Sequence, residues 1–136
     1  MAHFAGSNRL AWTLGAVLPL LLLASRGPAG AADATTLRGQ VVCGGCWEEA
    51  DRTKVPYGTD DDLRCAERCE KNGVAGALAV DEKGSVTLYR LEDGAFKRTG
   101  KGWLAYMGKR AEVTGAVRTE KGKPVLRVDA LKVLGK

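Results

Sequence analysis

From Thr35 onward the apolar positions fall into short runs of strand character, separated by polar stretches that carry glycine. Thr35-Thr-Leu-Arg-Gly-Gln-Val-Val42 is rich in β-branched and aliphatic residues and predicts a first strand that runs straight into Cys43. Residues 48–57 are polar, include Pro56, and read as loop. Asp60, Asp61 and Asp62 then suit the positive end of a helix, and Asn72-Gly73 is a left-handed stop, so about three helical turns fit between them. Val74-Ala-Gly-Ala-Leu-Ala-Val80 reads as a buried strand, Asp81-Glu-Lys-Gly84 as a hairpin turn, and Ser85-Val-Thr-Leu-Tyr-Arg-Leu91 alternates as a half-buried strand does. Residues 92–102 are polar. Trp103-Leu-Ala-Tyr-Met107 predicts one or two helical turns closed by Gly108, with Trp103 and Tyr106 plugging the end of a core. Two last strands, Arg110 to Thr119 and Pro124 to Val133, are joined across Glu120-Lys-Gly-Lys123, and Val113, Val117, Leu126, Val128 and Leu131 are the candidates for their buried face.

Five strands with a short helix between the third and fourth is the plan of an OB-fold barrel. The segment Tyr106-Met-Gly-Lys109, leading into Gly108-Lys-Arg-Ala-Glu-Val-Thr-Gly115 and a final strand to Val133, resembles the closing half of small secreted bacterial OB-fold proteins, with Ala111 where a larger aliphatic residue is usual. The resemblance spans Leu37 to Val133 and implies a mainly β, five-stranded OB-like barrel. The departure is a cysteine-bearing loop and helix, residues 43–73, inserted between strands one and two. In this fold that loop borders the usual ligand face, so an unidentified protein or small ligand is expected there, on a monomer.

Upstream of these elements Arg9 precedes an apolar run from Leu10 to Leu23 and the small residues Gly30-Ala-Ala32, the order of a cleaved secretory signal. The run is shorter than the ~20 residues a membrane span needs, and no later stretch approaches that length. Residues 1–32 are therefore expected to be a leader, leaving residues 33–136 as one domain, secreted or periplasmic and without a membrane span. The whole chain carries a formal charge of +5. Without Arg9 and Arg26 the balance falls to 19 basic against 16 acidic side chains, mixed along the chain, which reads as a solvated surface and argues against nucleic acid. Tyr89 is a single aromatic on strand three; single-strand binding wants several platforms in a basic groove.

The chemistry lies in four cysteines, Cys43-Gly-Gly-Cys46 and Cys65-Ala-Glu-Arg-Cys69, eighteen residues apart. Cys65 and Cys69 share one face of the predicted helix, and the glycines let the first pair turn tightly. Three readings follow. Cys43, Cys46, Cys65 and Cys69 can bind one metal ion as thiolates, zinc by preference. They can instead form two structural disulfides, which in an exported chain would cross from the helix to Cys43 and Cys46. Or Cys43 and Cys46 can act as a thiol–disulfide or copper-handling pair. Reactive pairs of that kind usually open a helix; this one follows a strand, and Glu48 and Glu49 would raise a thiol pKa. The only histidine, His3, lies in the leader, so no imidazole remains for Ser/His or Cys/His catalysis. No phosphate-loop pattern is present. The sequence favours a binding or structural protein over an enzyme.

Overall fold

The computed structural model describes residues 33–135; the leader expected over residues 1–32 lies outside the described residues. Five strands, β1 (Ala34–Cys43), β2 (Gly76–Glu82), β3 (Ser85–Asp93), β4 (Arg110–Glu120) and β5 (Lys123–Val133), form a closed barrel in the order β1-β2-β3-β5-β4. β1 is shared between two partners. Its C-terminal half pairs antiparallel with β2 from Gln40↔Ala79 to Cys43↔Gly76, and its N-terminal half pairs with β4 from Ala34↔Ala116 to Gln40↔Arg110. Closure comes from a parallel pairing of β3 with β5, Arg90↔Val125 to Asp93↔Val128. This is the OB-like arrangement that the strand order and the Tyr106–Gly115 segment imply.

Alternation along β1 explains where the site must lie. Its first residues alternate between exposed and half-buried, as one side faces solvent, but Val41, Val42 and Cys43 are all buried. Consecutive strand residues point to opposite faces, so both faces of this end are covered. Two helices of the insertion, α1 (Gly44–Glu48) and α2 (Asp60–Lys71), pack against β1. A 3₁₀ turn at Gly102–Tyr106 packs against α2 and brings Trp103 into the barrel end, where it is 2% exposed and stacks near Phe96 and Tyr106. β2 makes room for it with Gly76: a Cβ there would sit 2.9 Å from Trp103 Cγ.

Several boundaries move for local reasons. β2 begins at Gly76, and Val74, read from its apolar run as buried strand, is exposed because the chain is still leaving the stop of α2, where Gly73 has φ +75°. The β4–β5 connection is tighter than four residues. Lys121 and Gly122 both take positive φ and turn the chain in two, as Lys83 and Gly84 do between β2 and β3. Of the five candidate core positions in the last two strands, Val113, Leu126 and Val128 are fully buried, while Val117 and Leu131 pack at the margin. The register slip between Thr114 and Gly115 divides the pair Val113↔Leu131 from the pair Val117↔Leu126, and each pair has one fully buried and one marginal member.

Candidate metal centre

The sulfurs are delivered by three consecutive pieces of backbone. Cys43 ends β1 and is 1% exposed; Cys46 lies on α1 and is 2% exposed; Cys65 and Cys69 sit one turn apart on α2, both half-buried. The sequence predicts a glycine knuckle between the first two. The chain instead forms one short helical turn with Cys43 at its N-cap. That turn aims Cys46 at α2. Cys46 and Cys65 are joined by a disulfide with their Cα atoms 6.3 Å apart. Cys69 Sγ lies 3.7 Å from Cys46 Sγ, and the sulfurs of Cys43, Cys46 and Cys69 all fall within 4.8 Å of one another. Cys43 and Cys69 are free thiols.

The convergence of the two cysteine pairs is thus present, and one of the two cross-links of the disulfide reading is formed. Glu49 lies beside the cluster, its Oε2 3.8 Å from Cys65 Sγ.

What fixes α1 against α2 was not visible in the sequence. Arg52, within the stretch read as polar loop, donates from its guanidinium to the carbonyls of Cys46 and Trp47 and forms an ion pair of 2.9 Å with Asp62. Both side chains are almost fully buried, at 8% and 10% exposure. The same guanidinium lies over the rings of Trp47 and Tyr57, 5.6 and 5.0 Å from their centroids. Trp47 packs on Tyr57 and Arg52. The Tyr57 hydroxyl accepts the Cys43 N–H at 2.9 Å, and the Tyr57 carbonyl accepts from Gln40, which also reaches the carbonyl of Gly108. The loop is therefore stitched to the same strand that ends in Cys43.

One signal for this network was in the sequence. Thr59 and Asp62 form a reciprocal capping box at the start of α2, a pattern legible from their spacing. The partner, Arg52, has no such mark, because it recognises carbonyls and a carboxylate brought near only by folding.

Electrostatics follow from this packing. Burial pushes the Asp62 carboxyl up, but hydrogen bonds from the Thr59 hydroxyl, the Arg52 guanidinium and the N–H groups of Gly58 and Thr59 outweigh it, and the pKa falls to about 2. Burial pushes the Cys69 thiol above its ordinary value, with the Cys43 sulfur and the Glu49 charge adding to the rise and Arg68 opposing it. Burial likewise raises Tyr57, so its hydroxyl stays protonated against the Cys43 backbone.

The donor set suits a soft, tetrahedral cation. Sulfur ligands about 2.3 Å from a zinc ion stand about 3.7 to 3.8 Å from each other, the separation found between Cys46 and Cys69. Cys43, Cys46 and Cys69 together could hold a metal ion once the bond between Cys46 and Cys65 is opened. No family model matches the chain, and neither the curated proteins nor the solved structures give a match to it.

Proposed function

We propose that this chain is an exported binding or structural protein in which Cys43, Cys46, Cys65 and Cys69, when reduced, take up one zinc ion as four thiolates. The observation that carries this reading is the meeting of three sulfurs within 4.8 Å, contributed by β1, α1 and α2. Bound there, zinc supplies a structural cross-link between those three elements. It would hold the face beside the β1–β2 connection in one shape. A groove of about 460 Å³ opens on that face, lined by Gly44, Gly45, Leu88, Arg90, Lys123 and Pro124 among others, and is where a protein or small ligand would dock. Copper(I) is the softer alternative ion.

The test is the mass of the purified protein, prepared under reducing conditions with zinc, measured first native and then denatured. One retained zinc and four alkylatable thiols are expected. Uptake should weaken as pH falls, since a thiol with a raised pKa such as Cys69 keeps its proton to higher pH and the proton competes with the metal.

The Cys46–Cys65 bond favours a second reading, in which the same residues are structural disulfides. In that case Cys43 and Cys69 would complete a second crossed bridge, the mass would fall by about 4 Da, and no metal would be retained.

A further inference from the structure

We infer that Cys46 is the pivot of an internal thiol–disulfide exchange, in which the free thiol of α2 moves between Cys69 and Cys65. Three features of the cluster support it, and none involves a metal. The Cys69 thiol stands 3.7 Å from the sulfur of Cys46, about the contact distance of two sulfur atoms, so the attacking group already touches the bonded one. Cys65 and Cys69 lie one turn apart on the same rigid helix, so one pivot can reach either without moving α2 as a body. Cys46 itself is 2% exposed, so thiols in solution are screened from it while its neighbours inside the protein are not.

The step is redox-neutral and needs no outside reagent. The Cys69 thiolate attacks Cys46 Sγ, the Cys46–Cys69 bond forms as Cys46–Cys65 breaks, and the electron pair leaves on Cys65, which takes up the proton released by Cys69. Two thiols and one disulfide are present before and after. The thiol so freed at Cys65 faces a cleft of about 430 Å³ lined by Glu49, Arg52, Asp61, Arg64 and Arg68. There it can attack the disulfide of an incoming substrate, forming a mixed disulfide and releasing the other half as a thiol. The chemistry expected of this cluster is therefore exchange through Cys65 of α2, and it differs from a reactive pair made of Cys43 and Cys46.

The experiment uses the full exported chain carrying one disulfide, held with a chelator and with neither oxidant nor reductant, then alkylated with N-ethylmaleimide and digested with trypsin. Cleavage after Arg64 and Arg68 places Cys65 and Cys69 on different peptides, so bridges to the two differ in mass, and fragmentation between Cys43 and Cys46, which share the peptide of residues 39–52, shows which of them carries the bridge. Both Cys46–Cys65 and Cys46–Cys69 species are expected, with alkylated Cys65 appearing in step with the second, and the total of alkylated thiols constant at two. In Cys69→Ser only the Cys46–Cys65 species should remain, whereas Cys43→Ser should keep both. Cys46–Cys65 as the sole bridge in the unaltered chain overturns the inference, and so does a Cys43–Cys46 bridge in place of Cys46–Cys69. Because metal is removed throughout, failure of the zinc proposal leaves this outcome untouched, and failure here leaves zinc uptake by the reduced chain to its own test.

Discussion

The barrel and the insertion between β1 and β2 are held together by different means. In the barrel, stability is spread over many apolar side chains: Val41, Leu78, Leu91, Val113, Leu126 and Val128 are all at or near zero exposure, and no one of them is decisive. The insertion has less of this: it adds Cys46, Tyr57 and Ala66 to the buried core. Along its twelve residues α2 buries only Asp62 and Ala66, and Leu63 is left exposed. A helix with so narrow an apolar face gains little from docking. Its attachment rests on sulfur and on the Arg52–Asp62 pair with the carbonyls beside it. The lesson is that a small domain can carry a segment with few apolar side chains to bury, provided a few strong local contacts supplement them.

The sharpest way to break this contrast is to damage the barrel and ask whether the insertion goes with it. Trp103→Ala empties the plug under Gly76 and should cost about 3 to 5 kcal/mol in denaturant unfolding, with strands and insertion lost in one transition. Next in size, Cys46→Ser removes the bridge and the shared pivot of the cluster at once. About 3 kcal/mol should be lost, and hydrogen exchange should show α1 and α2 opening while β1 to β5 stay protected. Equal loss of protection in the strands would abolish the distinction between the two regions. Arg52→Ala leaves Asp62 buried without its cation and two carbonyls without a donor. A cost of about 2 kcal/mol is expected, with new tryptic cleavage confined to residues 44–75.

The smallest effect is acid sensitivity. The Asp62 pKa is depressed in the folded state from 3.8 to about 2, so its contribution is complete above about pH 5 and is lost as pH falls through the folded value. With allowance for solvent screening this amounts to on the order of 1 to 2 kcal/mol. Asp62→Asn should flatten the stability profile between about pH 2 and pH 4, read by thermal unfolding across that range. An unchanged profile would mean that the carboxylate contributes through its shape alone.

Much of the barrel was legible along the chain because its signals are local and repeat. Alternation in residues 85–91, the small apolar run before Val80 and the glycine-bearing turns within residues 81–84 and 120–123 each state their element within a few positions. The insertion was legible only where it, too, was local: the acidic start and glycine stop of α2, and the shared face of Cys65 and Cys69. Arg52 was invisible for the opposite reason, since neither polarity nor spacing distinguishes it from the exposed arginines around it. Val74 misled because hydrophobicity alone does not say which side of a helix stop a strand begins.

The sequence by itself determined the number and order of the strands, the helix that carries Cys65 and Cys69, and the presence of four thiols in two pairs, since composition and period are properties of the chain; α1 was not among them. Only the tertiary structure decided that these pairs meet, that Cys46 is bonded to Cys65 while Cys43 and Cys69 stay free beside it, and that a buried ion pair clamps the two helices. The physical reason is distance. A sulfur's partner is set by how β1 turns into α1 and where the barrel seats α2, and those placements follow from packing between residues far apart along the chain.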